Sequence, residues 1–349
     1  MIFFILLYVN FSPVRVVKLN SVEAKDSKET KPSFHVYKVV AHVHTQFSFD
    51  SLGKPSDIKK AMEENRIDFV FVTDHNNDEY RFFEDEKIFA GVEKNTQEGR
   101  LLLLANQIPV ISHPHNFEFE HYRWKGEFKQ DHLYEFIDPK DVIVWNKFKT
   151  SLALLKNILI YPFTRDITYK WNCLIPIGEW RKLYFDRAKD LKIVGGLDLH
   201  VKFVYQEKTH GVLIPSYRAG FRWLVNMVYC KETLSSKDDV LNSLKSGNLY
   251  LSINQNMVDI WVKDDEGYKI LGEKVKSGGR MFVILSNKKR VSKVFKDNHE
   301  ILTTDRREFQ LELSEKGKYW LEVYEYDFKI FNLFFGFRPV IITNSFTVG

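Results

Sequence analysis

Short, continuously apolar runs alternate with longer polar or amphipathic stretches from about residue 36 to residue 200 of this 349-residue chain. The runs at 39–41, 69–73, 88–92, 101–104, 110–112, 142–144 and 193–197 are too short for helices, and their spacing predicts parallel strands covered by helices. Between the first two runs, Ile58, Ala61 and Met62 fall at i, i+3 and i+4, which predicts a helix capped by Ser56. Trp180, Leu183 and Tyr184 repeat that spacing as a stripe facing the core. Val240, Leu241 and Leu244 follow a capping Ser235 or Ser236 and precede a terminating Gly247. After Met257 the period changes. Runs at 258–262, 281–285, 309–313, 319–324 and 340–343 are short, partly alternating and separated by turn-rich pieces, the pattern of a small antiparallel β-sandwich.

The expectation is therefore an α/β chain in two main parts, residues 36–252 and 253–349. Residues 1–20 form a candidate signal or anchor segment and 21–35 a polar linker. Ile2–Val9 has the length of a signal-peptide core and Val22-Glu23-Ala24 offers small residues for cleavage, but Arg15 and Lys18 lie on the wrong side for a basic leader. Export or membrane tethering stands against a cytoplasmic protein whose first element is buried. The formal charge of +5 comes from lysines interleaved with acids, a solvated surface that argues against a nucleic-acid role. Cys173 and Cys230 are the only cysteines, too few for a disulfide framework or a thiolate metal site.

The candidate chemistry lies where the apolar runs stop. Of 11 histidines, His42, His44, His75, His113, His115 and His200 stand just past a run, together with Asp50, Glu93 and Asp198. Groups at the carboxyl ends of parallel strands meet in one cleft, and imidazoles mixed with carboxylates suit catalytic divalent ions. Taken singly, each of these residues has an ordinary structural explanation. Their concentration at strand ends does not.

The ordered set His42-Val43-His44-Thr45 with Asp50, Thr73-Asp74-His75-Asn76, Gly91-Val92-Glu93, Ser112-His113-Pro114 and Gly196-Leu197-Asp198-Leu199-His200 resembles the motif signature of the PHP (polymerase and histidinol phosphatase) superfamily. The resemblance covers about residues 36–252 and implies a distorted (β/α)7 barrel that hydrolyses phosphate esters at a centre of two or three divalent ions. It implies that His42 and His44 hold a first ion with Glu93 and Asp198, that Glu93 bridges to a second ion bound by His113, and that Asp50, His75 and His200 hold a third. Glu93, Asp198 and His200 are the residues it places in the reaction itself. The sequence departs from the family where Arg100 stands in Gly99-Arg100-Leu101-Leu102, at a position relatives give to a histidine. Either His115 swings in, or Arg100 fills the space with a fixed charge and the centre is dinuclear.

Mixed nitrogen and oxygen ligands favour manganese, zinc or iron over magnesium. Asp74 is a candidate for orienting an imidazole or for binding loop amides. Arg100, Arg123, Arg181 and Lys202 are candidate phosphate contacts, His115 a further substrate-side candidate, and the aromatic stretch 117–136 a candidate lid. The expected partner is a small phosphorylated substrate. Two other classes compatible with the residues are a metal-dependent hydrolase of another bond, amidohydrolase-like, and a binding module with a decayed centre.

Overall fold

The computed structural model describes residues 15–17, 31–206, 210–212 and 214–349, with no account of the side chains of 15–16, 203–206 and 210–212. The apolar run Ile2–Val9 and the candidate cleavage position lie outside the described residues. Arg15–Val16 pairs with Phe334 and Leu333 of the C-terminal region, so cleavage after Ala24 would remove a strand. Among the described residues no helix is long and apolar enough to cross a membrane.

The molecule is a mixed α/β fold with one large sheet, few helices and separate smaller sheets. Seven neighbouring strands of the large sheet position the site: His35–Val43, Phe69–His75, Ile88–Thr96, Gly99–Leu104, Ile108–Ile111, Leu133–Ile137 and Lys192–Gly195. Six run in one sense. Gly99–Leu104 is antiparallel to both of its neighbours, because tight turns rather than helices join it to them. The expected regular strand–helix alternation therefore breaks at residues 88–111. The run also curls on itself: Leu197 N–H donates to Ala41 O (3.0 Å), Leu199 N–H to His42 O (3.2 Å) and His44 N–H to Leu199 O (3.1 Å). Asn226 locks this seam by bonding both backbone groups of Gly195 and the carbonyl of Val39.

Two local expectations change. The helix Pro55–Asn65 buries Ile58, Ala61 and Met62, but its cap is Lys54, since Pro55 takes the first helical position and leaves Ser56 inside. Val142–Val144 is not a strand. It belongs to the helix Pro139–Trp145, which Asp138 caps through Lys140 N–H and Pro139 opens. The missing strand is Leu133–Ile137, fully buried, so the stretch 117–136 ends inside the sheet instead of forming a lid throughout. Trp180 and Tyr184 of the helix Ile177–Arg187 are buried, and Ser236 and Gly247 bound the helix Lys237–Ser246.

All five C-terminal runs are strands. Val258–Asp264, Gly279–Leu285 and Glu308–Leu313 lie in a four-stranded sheet, whereas Gly317–Glu325 and Arg338–Thr343 continue the large sheet beyond Leu249–Ile253. The two regions are tied by Arg181. Its guanidinium donates to both oxygens of the fully buried Glu322 at 2.7 and 2.8 Å, with Trp320 Nε1 (3.1 Å) and Tyr324 OH also bonding that carboxylate. Arg181 is thus a structural cation and not a phosphate contact. Arg181→Ala strands a buried charge and is expected to cost about 3–5 kcal/mol in urea unfolding. A loss under 1 kcal/mol would contradict this role. Lys202, another candidate for phosphate, is buried.

Candidate metal centre

The strand His35–Val43 ends in a bulge: its register with Phe69–His75 shifts between Val40 and Val43, where His42 takes a φ of 60°. His113 (φ 49°) and Asp198 (φ 41°) also adopt the left-handed region, which is uncommon for residues other than glycine. Strain of this sort persists only where the surroundings impose it, and here it re-aims three side chains into one space. Gly196 is needed beside them, since a Cβ there would lie 1.7 Å from Glu135 Oε1 and 3.0 Å from His42 Cβ.

His42, His44, His75, Glu93, His113 and Asp198 converge as buried groups, with His200 at the margin and Asp50 less buried still. The Nε2 atoms of His42 and His44 lie 3.4 and 3.2 Å from Asp198 Oδ1 and 3.6 and 3.4 Å from Glu93 Oε2. His113 Nε2 is 3.3 Å from Glu93 Oε1 and 3.6 Å from Asp198 Oδ2. His75 Nε2, His200 Nε2 and Asp50 Oδ2 form a second group with separations of 3.3, 3.2 and 3.4 Å. Donors bound to one tetrahedral ion at about 2.1 Å lie about 3.4 Å apart, so both groups have the spacing of a ligand set. Among the described residues four compact clusters occur: His42, Glu93, His113 and Asp198; His44, His75 and His200; and, on the outer side of the rings, His42 with Glu135 and Asp138, and His113 with Asp138 and Asp141. His44 thus clusters with His75 and His200, the residues the resemblance assigns to a third ion, as well as lying near His42.

The outer nitrogens explain why these donors face inward. His42 Nδ1 bonds Glu135 Oε1 at 2.7 Å, His113 Nδ1 lies 3.0 Å from Asp138 and 3.1 Å from Asp141, and His200 Nδ1 meets the carbonyl of Asp198 at 3.0 Å. Ser48 gives its single proton to Asp74 (2.7 Å), so it accepts from His44 Nδ1 (3.1 Å) and from His75 N–H (3.1 Å). In all four rings Nδ1 is the protonated, anchored atom and Nε2 offers a lone pair to the centre, the arrangement that outer-shell partners impose on metal-binding histidines. Those Nε2 atoms of His42, His44 and His113, with Asp198 Oδ1, are buried without a hydrogen-bond partner. Four orphaned polar atoms gathered in one buried space are costly unless a cation satisfies them, so the residues fit divalent ions.

The electrostatics agree. Burial opposes ionisation, yet His42, His113 and His75 keep the Glu93 carboxyl well below its usual range, and Lys140, His200 and His42 do the same for Asp198. Burial also disfavours a charged His75, but Asp50 and Glu93 raise it to about 9. That raised value stabilises the metal-free fold fully below pH 6.5, and the contribution is lost as pH climbs through about 9. A bound ion must displace the same proton. The rise in Tm on adding manganese or zinc is therefore expected to grow from pH 6.5 to pH 9, reaching about 2.7 kcal/mol of stabilisation at a hundred times Kd. Thermal scanning checks this, and a gain that shrinks with pH would contradict it.

Asp74 does both things proposed for it, accepting from Thr45 N–H and Oγ1 at 2.7 Å each and steering His44 through Ser48. His115 does not swing in. Its ring stacks on Trp180 (4.3 Å, 2°), neither nitrogen has a partner among the described residues, and burial lowers its pKa to about 3, so it is a neutral core histidine. Arg123 lies over the Phe117 ring (4.8 Å). Arg100 is at the centre: the reversal of Gly99–Leu104 brings its first residues to the rim where the other strands end, and Nη1 donates to Glu93 Oε1 at 3.0 Å.

Four residues escaped the sequence: Glu135, Asp138, Lys140 and Asp141. Glu135 accepts from Ser112 Oγ (2.9 Å) and His113 N–H (3.0 Å) besides His42, and Lys140 Nζ lies 2.8 Å from Asp198 Oδ2. The available signal was Asp138-Pro139, a cap followed by a first-turn proline, which would have started a helix there and freed Leu133–Ile137 to be a strand.

No protein-family model matches the sequence, and no curated protein matches it. A solved structure from Bacteroides vulgatus, a two-domain protein containing a predicted PHP-like metal-dependent phosphoesterase, is similar over 94% of this chain and 99% of that chain, at 12% sequence identity and a TM-score of 0.32. Similarity at that level leaves the function to be judged from the residues of the site.

Proposed function

We propose that this protein is a metal-dependent phosphoesterase whose curled sheet is a PHP-type barrel with one reversed strand, followed from about residue 253 by a β-sandwich. The observation that carries this is the set of four imidazoles, each tied by Nδ1 and turned by Nε2 toward the same pair of buried carboxylates or the adjoining Asp50. His42, His44, His75, His113, His200, Asp50, Glu93 and Asp198 would hold the ions, and manganese, zinc or iron suits such donors. Divalent ions held there supply a nucleophile from water at neutral pH and charge neutralisation at a phosphoryl oxygen.

The chain's own groups do the rest. Glu93 and Asp198 stay ionised in a buried setting because cations and imidazoles surround them. Glu135, Asp138 and Asp141 hold His42 and His113 in one tautomer, so no reorientation is needed during the reaction. The mouth is formed by the partly exposed His200, Asp50 and Lys140, with Phe49 exposed beside His75. A small phosphorylated molecule entering there meets Lys140 and His200 first.

Hydrolysis of p-nitrophenyl phosphate or bis-p-nitrophenyl phosphate by manganese-loaded protein tests the proposal. Activity abolished by His42→Ala is the expected result. Metal-loaded protein inert toward both esters, yet active on amide or lactone substrates, would transfer the site to another hydrolase class.

A further inference from the structure

Each of the two central carboxylates is divided between unlike neighbours. Glu93 Oε2 faces imidazole nitrogens of His42, His44 and His75 at 3.6, 3.4 and 2.8 Å, and Asp198 Oδ1 faces those of His42, His44 and His200 at 3.4, 3.2 and 3.3 Å. Their other oxygens face fixed cations. Arg100 Nη1 lies 3.0 Å from Glu93 Oε1 and Lys140 Nζ 2.8 Å from Asp198 Oδ2. His113 Nε2 points at this second edge.

The cationic edge is built. The Arg100 side chain is only 5% exposed, its guanidinium lies 3.6 Å from the centroid of the Tyr122 ring, and its backbone N–H bonds the Tyr122 carbonyl at 2.9 Å. Lys140 approaches the same ring at 5.5 Å. A guanidinium cannot lose its proton in a protein, so this charge is permanent. A third divalent ion at this edge would share Glu93 Oε1 and Asp198 Oδ2 with two positive charges, in a poorly screened interior where like charges repel strongly.

We infer that Arg100 and Lys140 replace one divalent ion, so that the centre binds two ions rather than three, and that Lys140 receives the substrate's phosphate. The inference rests on the metal-centre function proposed above. The division of labour between the cations follows from access: the Lys140 side chain is 32% exposed, whereas Arg100 is sealed, so only the lysine reaches an incoming anion. Two charges that never dissociate leave the centre dependent on fewer ions than a three-metal site.

Elemental analysis and native mass spectrometry of the full chain, loaded with manganese or zinc, count the ions. Two per chain are expected in the unaltered protein and in Arg100→Lys, and three in Arg100→His, which exchanges the charge for a ligand. Three ions in the unaltered protein, or two in a folded Arg100→His, would overturn the inference while leaving a metal centre in place. No bound ion at all would remove the proposed function itself. Should Arg100→His fail to fold, as judged by circular dichroism, the count in the unaltered protein decides. For Lys140, calorimetric titration of the loaded protein with inorganic phosphate is expected to show at least tenfold weaker binding in Lys140→Met with two or more ions retained. An unchanged phosphate affinity would overturn the lysine's role.

Discussion

Asp198→Ala is expected to strip most of the bound metal from the protein and to lower phosphoester hydrolysis by at least about a thousandfold, roughly 4 kcal/mol of transition-state stabilisation. The size follows from position. Asp198 Oδ1 lies within 3.2–3.4 Å of nitrogens of His42, His44 and His200, and Oδ2 holds Lys140, so one side chain serves both edges of the centre. It is also held in a left-handed backbone (φ 41°) that alanine tolerates poorly, so some loss of stability is expected as well. Metal content and kcat/KM should therefore be read together with a thermal melt. A variant that keeps its metal and more than a tenth of its activity would show that Asp198 is not a ligand.

Glu135→Ala is expected to destabilise the fold by about 3–5 kcal/mol, because it strips the acceptor from three buried donors at once. His42 Nδ1, Ser112 Oγ and His113 N–H all end on this carboxylate, which is itself fully buried. Glu135→Gln keeps the shape, and its effect should appear in metal affinity. Weakening a partner that orients a liganding imidazole typically costs about 10–100-fold. Urea unfolding of the alanine variant and calorimetric metal titration of the glutamine variant separate the two effects. If the glutamine variant binds metal as tightly as the parent, Glu135 is a packing residue only.

Neither Glu135 nor Lys140 stands out in the sequence, whereas His42, His44, His75, Glu93, His113, Asp198 and His200 do. The difference is physical. A histidine or acid immediately after an apolar run is conspicuous because strand ends carry few such residues, and their clustering is visible without knowing the strand order. Glu135 lies within an apolar run, where a carboxylate reads as a break in a strand. It is tolerated there only because three donors from other segments surround it. Lys140 reads as a surface lysine until the helix Pro139–Trp145 is placed against Asp198.

The same limit applies to Val142–Val144, where three β-branched residues in a row outweighed the capping signal of Asp138-Pro139. It applies again to Gly99–Leu104, whose leucines predict a strand but not its direction. That direction decides the chemistry of one edge of the centre. With the strand reversed, Arg100 reaches the rim and occupies Glu93 Oε1.

By itself the sequence determined the local elements set by period and by turn residues, the change of style near Met257, and the set of imidazoles and acids placed at strand ends. These depend on neighbours a few positions away. Only the tertiary structure decided the pairing sense of the strands, the seam between residues 41–44 and 197–199, the inward turn of each Nε2 and the division of the two carboxylates between imidazoles and fixed cations. Those depend on groups from distant parts of the chain meeting at distances near 3 Å, where burial makes each unpaired charge costly enough to select a single arrangement.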